Sequence, residues 1–372
     1  MPKLVDVVDL LHAWYPPASA ASGDPVGLVA GDPDADVTKV MFAIDPSPEV
    51  AHEAVEWGAD LLVVHHPLFL TPVHGVAATS PKGRTLHTLL AGGCALLTAH
   101  TNADAAIGGV SEALALALGL RDLRPIRPAP SMALDKVVTF VPHEHAEAMR
   151  TALVAAGAGA IGDYDSCTFS VSGEGRFRPL DGSSPVVGEV GSLALVPEIR
   201  VESVLPRARR VTVIRALIDA HPYEEPAFEV VELADSRQSE SGTGRVGSVP
   251  ETTLREFAAK VASVLPPTAH GVRVGGDPDR VVRRVAVCGG AGDFLLDELV
   301  DADIDAYLTS DLRHHRAGEF LEHGGPALID VAHWAAEWTW LPVVEGNLRA
   351  ELGDTVSTRV STHCTDPWQF RT

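Results

Sequence analysis

Three short stretches carry side chains suited to holding a cation. His65 and His66 close the apolar run ADLLVVHH and stand directly before Pro67. Proline cannot continue a β-ladder and restricts the residue before it. Both imidazoles therefore fall at the C-terminal end of a buried strand, where open α/β sheets place their sites. Neighbouring strand residues point to opposite faces, so a shared role requires the chain to bend there. The competing reading is a buried pair satisfied by backbone carbonyls. Asp104 follows a second apolar strand in LLTAHTNADAAIGGV, beside His100, Thr101 and Asn102. Taken alone, capping the next helix is the simpler role for Asp104 or Asn102. His333 and Glu337 lie in DVAHWAAEW, after a third apolar strand. Their i, i+4 spacing sets both on one helical face, a usual way for a helix to present two metal ligands. A helix-surface hydrogen bond is the alternative. Trp334, Trp338 and Trp340 point instead to a packed helix, and a buried Glu needs a partner that a cation would supply.

Together these place three histidines and two carboxylates at strand ends or in the turns just beyond. Mixed nitrogen and oxygen ligands suit Zn, Mn, Fe, Co or Ni better than Ca. Five ligands exceed the three or four usual for one catalytic zinc. Two divalent ions bridged by a carboxylate, roughly 3.5–4 Å apart, fit better.

Two further motifs carry less. GGAG at 289–292 sits between a strand and a helix. It has neither the Walker lysine nor the full GxGxxG pattern, and Asp293 would compete with an anion, so a tight structural turn is expected. HPYEEP at 221–226 places Glu224 and Glu225 between prolines, with no histidine cluster joining them, and reads as a structural turn.

The elements that must position these groups alternate. LVAGDP, KVMFAID, ADLLVVHH and CALLTAH read as strands. SPEVAHEAVEWG, KGRTLHTLLAGG and GGVSEALALALGL read as helices, the first with Ser47 as N-cap and Gly58 as its stop. This is an α/β pattern with a largely parallel or mixed sheet. RDLRPIRPAP holds three prolines in ten residues and marks a boundary. From 135 to 234 the order becomes strand-helix-strand twice, the ferredoxin-like α+β order. It is read as an inserted domain, with DSRQSESGTG as the return linker. The α/β pattern then resumes to the end, including one helix expected across WAAEWTWLPVVEGNLRAEL. The expected organisation is a discontinuous metal-binding domain, 1–130 with 242–372, around an insert at 135–234.

With 372 residues and 46% hydrophobic content, the chain has material for two or three domains. No run of about 18 apolar residues predicts a membrane span, and MPKLVDVVDLLHAWYPP lacks the features of a signal peptide. Cys94, Cys167, Cys288 and Cys364 are isolated and form no CxxC, as expected for thiols in a reducing cytoplasm. A formal charge of −21 opposes nonspecific binding to nucleic acid or an anionic membrane.

GADLLVVHHPLFL, AHTNADAAIGGV, VCGGAG, YLTSDLRHH and IDVAHWAAE, kept in this order from about Gly27 to Glu337, resemble the Nif-three-like family, often named GTP cyclohydrolase I type 2 homologs. The resemblance implies a dinuclear site with His65, His66, Asp104, His333 and Glu337 in the ligand positions, holding two divalent ions (Zn, Fe, Mn or Ni). It implies an α/β domain of two similar halves, a toroidal homohexamer, and metal sites facing its interior. It also implies that His314 and His315 line the cavity near the metals. These two, with His100, are the expected proton-transfer groups, against ordinary hydrogen bonds at a helix start. HPYEEPAFEV and GTGRVGSV resemble the longer bacterial members, whose middle domain is similar to CutA and PII-like folds. One departure is TSD at 309–311, where the family usually has Thr-Gly before the acidic residue. Ser310 there narrows a backbone approach and leaves the ligand positions intact. The activity implied is a metal-dependent hydrolase of a small nucleotide-like or phosphoester substrate. The alternatives are a non-enzymatic metal-handling protein and an oligomeric regulatory scaffold.

Overall fold

The computed structural model describes residues 1–130, 133–162, 164–234 and 239–372. They divide into two compact units, Met1–Ala129 with Glu240–Thr372, and Pro130–Ser239. The first unit begins with α1 (Leu4–Trp14), β1 (Gly27–Ala30), β2 (Lys39–Ala43), α2 (Pro48–Trp57), β3 (Leu61–Val64) and α3 (Pro81–Ala91). It continues with β4 (Ala95–Thr98), α4 (Thr101–Ala105), α5 (Val110–Ala117), β5 (Arg121–Arg124) and β6 (Arg127–Pro128). The second unit holds β7 (Leu134–Pro142), α6 (Ala146–Ala155), β8 (Thr168–Phe177), β9 (Ala194–Pro206), α7 (Arg210–Ala220) and β10 (Phe228–Glu232). The chain re-enters the first unit through β11 (Gly242–Thr243), β12 (Arg245–Thr253), α8 (Leu254–Val264), β13 (Val272–Gly275) and β14 (Val281–Ala291). It ends with α9 (Leu296–Leu299), β15 (Ala306–Ser310), α10 (His314–Glu322), β16 (Ala327–Val331), α11 (His333–Trp338), α12 (Leu341–Leu352) and β17 (Ser357–Val360).

The first unit is built on two mixed sheets, in the orders β1-β4-β3-β2-β17 and β13-β16-β15-β14-β12-β5. β17, β2, β3 and β4 run parallel, with β1 antiparallel at the edge. In the other sheet β14, β15 and β16 run parallel between antiparallel neighbours. The continuous apolar runs follow from cover on both faces. Leu61, Val63 and Leu97 share one buried cluster with Val285, Val287, Leu308 and Ile329 of the second sheet. The intervening Leu62, Val64 and Leu96 turn the other way, against Val50, Ala54 and Leu89 of α2 and α3. This is the two-residue strand period at work. Each such side chain contributes roughly 1.5–3 kcal/mol on full burial. A one-residue slip would therefore exchange the two faces at a large cost. Because both sheets hang on one core, the C-terminal ends of β3, β4, β15 and β16 are held in fixed relation.

In the second unit β10-β7-β9-β8 form an antiparallel sheet. Met149 and Leu153 of α6 and Val213 and Leu217 of α7 cover it through Val137, Val141, Val201 and Leu205.

The structure differs from the sequence reading in places. RDLRPIRPAP, read as a boundary, contains the division between the units but also carries β5, which pairs with β12, and β6, which pairs with β11. The return linker at DSRQSESGTG falls in part outside the described residues. The helix expected across WAAEWTWLPVVEGNLRAEL is two helices, α11 and α12. Pro342 is the second residue of α12. It lacks an N–H and its ring would clash with the Trp338 carbonyl four residues back, so α11 stops there. α1 and β17 were not read from the sequence. Among the described residues no helix is long and apolar enough to cross a membrane, and Cys94, Cys167, Cys288 and Cys364 are free.

Candidate metal centre

β3 ends at Val64, but the ladder continues for two more amides. His65 N–H donates to Ala43 O at 3.2 Å and His66 N–H to Ile44 O at 2.9 Å. The chain bends at these two residues before Pro67, so both imidazoles reach the same space instead of opposite faces. His65 is fully buried. Its Nδ1 lies 2.8 Å from Ala99 O. A carbonyl only accepts, so Nδ1 carries the proton and Nε2 is the free ligand atom of the neutral ring. The other three imidazoles are held alike, each Nδ1 against a carboxylate. His66 Nδ1 is 2.7 Å from Asp45 Oδ1, His100 Nδ1 is 2.8 Å from Asp24 Oδ1, and His333 Nδ1 is 2.6 Å from Asp311 Oδ2. Orienting oxygens behind each ring are the usual second layer of a metal-binding histidine.

Glu337 lies at the centre of the cluster. Ala332 alone separates β16 from α11, so His333 opens the helix and Glu337 follows one turn later on the same side. Glu337 Oε1 is 2.9 Å from His333 Nε2 and 3.4 Å from His65 Nε2, and its Oε2 is 3.1 Å from His66 Nε2. Asp104 Oδ1 is 3.5 Å from His65 Nε2. Ligand atoms of His65, His66 and His100 lie within 4.8 Å of one another, as do those of His66, His333 and Glu337.

Yet His65 Nε2, Asp104 Oδ1 and Glu337 Oε2 are buried atoms with no hydrogen-bond partner. The approaches among them are close in distance and lack hydrogen-bond direction. Buried polar atoms left unmatched are costly. Three buried atoms, on His65, Asp104 and Glu337, that converge without a hydrogen-bond partner are what a cation-binding cluster presents, and the residues fit divalent ions on that ground.

Charge points the same way. Burial opposes protonation of His66, but Glu337 and Asp45 outweigh it and carry its pKa up to about 11. Burial likewise opposes His333, and Glu337 and Asp311 raise it to about 9. Burial pushes Asp104 up to about 6 against the pull of His65. Burial would also raise Glu337, yet His65 and His66 hold it well below the usual carboxylate range. The cluster thus attracts positive charge, which a divalent cation supplies in place of protons.

Backbone shape completes the cradle. Gly290, at the end of β14, has φ +69°, and a Cβ there would stand 2.6 Å from Glu337 Oε1 and 3.3 Å from His333 Nε2. The GGAG stretch is therefore the end of a strand that approaches the ligands closely, where a tight turn was expected. Asp311 has φ +57°, a left-handed conformation that a non-glycine residue adopts at some cost. It aims its carboxylate at His333.

His65, His66, Asp104, His333 and Glu337 are thus brought together, with His100 beside them. Neither Asp104 nor Asn102 caps a helix. Asn102 Oδ1 accepts the His100 N–H at 2.9 Å and its Nδ2 donates to Tyr15 O at 2.7 Å. His314 and His315 open α10, are exposed, and stack edge-on with ring centroids 5.2 Å apart. They do not join the cluster. Sequence reasoning missed Asp24, Asp45 and Asp311 as histidine-orienting groups, and Gly290 as the close approach. Asp45 and Asp311 had a readable signal, since each lies within two residues of the C-terminal end of a buried strand, β2 and β15. Two cavities border the centre. One, of about 610 Å³, is reached by His66 and His333, and one, of about 530 Å³, by His100 and Asp104.

This arrangement of two mixed sheets around a His-carboxylate cluster has relatives. The sequence matches the Duf34/NIF3 (NGG1p interacting factor 3) family over residues 2–367, and the chain belongs to that family. It is 50% identical over 370 residues to the GTP cyclohydrolase 1 type 2 homolog of Mycobacterium tuberculosis, covering 99% of this chain and 97% of that one. It is similar in structure to the Bacillus cereus protein related to NIF3, with TM-score 0.75 and 35% identity over 100% of this chain and 99% of that one. Staphylococcus aureus protein SA1388 is similar with TM-score 0.82 and 28% identity, again over 100% and 99%.

Proposed function

We propose that this chain holds two divalent metal ions through His65, His66, Asp104, His333 and Glu337, and that it is a metal-dependent hydrolase of a nucleotide-like or phosphoester substrate. The observation that carries the reading is the set of converging, unbonded donor atoms on His65, Asp104 and Glu337. Glu337 turns its two oxygens to imidazoles from two directions, and would be among the residues that hold the ions. Mixed nitrogen and oxygen donors suit Zn, Fe, Mn or Ni. When bound, such ions supply Lewis-acid polarisation of a substrate oxygen. Asp45, Asp311 and Ala99 O lock the ligand rings. His100, with Nδ1 held by Asp24, keeps Nε2 free to move a proton in the cavity it shares with Asp104. His314 and His315 are assigned the same task toward a substrate that extends to the start of α10. The names of the relatives support a GTP-like substrate.

The reading extends to assembly and place. The first unit is taken as two similar α/β halves and the second as an inserted ferredoxin-like, CutA/PII-like domain. The chain is taken to form a toroidal hexamer in the cytoplasm. A regulatory scaffold is the second reading, favoured by a cavity of about 650 Å³ within the second unit, walled by Phe140, Phe177, Glu198 and Tyr223.

The test is metal content per chain after purification without chelators, for wild type and for His65→Ala, His333→Ala and Glu337→Ala. About two ions in wild type, falling in each variant, is expected. No metal after reconstitution refutes the centre. Metal-loaded protein should then turn over a nucleotide or phosphoester and lose that on Asp104→Ala. Full metal with no turnover across such a panel refutes the hydrolase and leaves metal handling.

A further inference from the structure

HPYEEP, read from the sequence as a structural turn, bends the chain beside the 650 Å³ cavity of the second unit. Its Tyr223 is held at three points. The N–H donates to His221 Nδ1 at 3.1 Å, the ring packs against Phe177 with centroids 5.7 Å apart, and the O–H donates to Glu198 Oε1 at 2.8 Å. Glu198, on β9, lines the cavity and is 8% exposed. Its other oxygen, Oε2, has no hydrogen-bond partner among the described residues. No arginine or lysine among them pairs with Glu198 either. The two arginines of the cavity wall are engaged elsewhere: Arg176 lies 2.8 Å from Glu174, and Arg200 lies 2.8 Å from Glu202. On the neighbouring strand β8, a Cβ at Gly175 would stand 2.2 Å from Glu198 Oε2, so glycine there makes the room that the carboxylate occupies. Glu224 and Glu225 stand exposed at the same cavity and add negative charge. A buried carboxylate without a counter-charge is unfavourable. Here it faces a cavity that also presents Phe140, Phe177 and Tyr223, and the faces of such rings attract cations.

We propose that this cavity binds a small organic cation, an ammonium group carried on an apolar or aromatic body, with Glu198 as its counter-charge. The site lies wholly in the second unit. It does not rest on the metal centre, and it names a ligand class for the regulatory reading. A charge-assisted N–H···O bond to Glu198 Oε2 fixes the ammonium head, and the body lies against Phe140 and Phe177. A bare metal ion fits less well. It needs several donor groups close together, and the groups of three or more that meet this among the described residues are those of His65, His66, His100, His333 and Glu337. An anion would meet Glu198, Glu224 and Glu225 with like charge.

The test is calorimetric titration of the full-length protein at neutral pH with probes that share one body and differ in the head: 2-phenylethylammonium, 2-phenylethanol and 3-phenylpropionate. Metal content is measured on the same samples, so the state of the centre is read separately. Wild type should bind the ammonium probe tighter than the alcohol by roughly tenfold or more, as one charge-assisted hydrogen bond predicts, and the carboxylate probe most weakly. Glu198→Gln keeps the shape of the side chain and an oxygen for the Tyr223 O–H. It should weaken the ammonium probe roughly 10–100-fold and erase its preference over the alcohol, with metal content unchanged. Gly175→Ala displaces the carboxylate without altering its charge and should weaken the ammonium probe by roughly tenfold. Equal binding of the ammonium and alcohol probes by wild type, no binding of the ammonium probe, or an unaltered preference in Glu198→Gln overturns the proposal. The wild-type comparison decides it even where a variant fails to fold.

Discussion

Gly290 allows the centre to be disturbed without removing a ligand. In Gly290→Ala the new methyl would stand 2.6 Å from Glu337 Oε1, where ordinary contact begins near 3.4 Å. Glu337 must withdraw by about 0.8 Å, several times the ~0.2 Å within which metal–ligand distances are held. The φ of +69° adds roughly 1–2 kcal/mol of backbone strain for an L-residue. Gly289→Ala is the matched control. Its methyl would meet Val110 Cγ1 at 2.6 Å, while Glu337 Cγ stays at an ordinary 3.9 Å. Overpacking of that kind costs about 1–3 kcal/mol and leaves the donor atoms in place. The two variants should therefore lose similar stability, yet only Gly290→Ala should lose metal affinity, by roughly tenfold or more, the low end of what disturbed outer-layer support costs. The assay is bound metal per chain after dialysis against a fixed free-metal concentration, with thermal melting on the same preparations. Metal affinity unchanged in Gly290→Ala, or lost equally in Gly289→Ala, would refute the idea that Glu337 and the β14 backbone share one tightly fitted space.

Three other expectations concern charged side chains. Asp311→Ala removes the carboxylate that orients His333 and should lower metal affinity roughly 10–100-fold with little change in melting temperature; unchanged affinity would show that the Nδ1 contact is incidental. Arg245 is 1% exposed, pairs with Glu112 at 3.1 Å, and donates to the carbonyls of Ala106, Gly242 and Gly244. Arg245→Ala strands all four acceptors and should cost about 3–5 kcal/mol, seen as a melting point lower by roughly 6–20 °C, and a shift under about 2 °C would contradict it. Asp135 in the second unit is buried against Arg210 and Arg207. Hydrogen bonding from Arg210, more than enough to offset burial, holds its pKa below the usual carboxylate value. A carboxylate depressed in the folded state stabilises above its unfolded pKa of about 4, and that contribution fades as pH falls through the folded value. Asp135→Asn should thus be less stable than wild type at pH 7, with the gap closing as pH falls below the ordinary carboxylate range. A pH-independent gap in urea titrations would mean that packing, not ionisation, sets the loss.

Much of the centre was legible in one dimension because its chemistry sits at punctuation. Apolar runs ending in His-His-Pro, in a polar turn with Asp104, and in His333 with Glu337 each announce a buried strand and its C-terminal end. Parallel α/β sheets gather those ends on one edge. The i, i+4 spacing of His333 and Glu337 also needed only local geometry. Nothing local told which oxygens stand behind the rings. Asp24 reaches His100 across 76 residues, and Asp45 reaches His66 across 21. Local propensity also misled at two places. Good helix formers on both sides concealed the break that Pro342 makes between α11 and α12, and a proline-rich stretch concealed β5 and β6, whose pairing partners lie more than a hundred residues on.

The sequence by itself thus determined the strand ends, the residue types gathered there and the alternation that buries both faces of β3 and β4, because these depend on side-chain period and on what proline forbids. The tertiary structure alone decided that His65 and His66 turn to one side, that Gly290 must be glycine to clear Glu337, and that Thr365 ties the end of the chain to Asp45. Each of these is a matter of distance between segments remote in sequence. Only the packing of two sheets on one core brings such segments within a few ångströms.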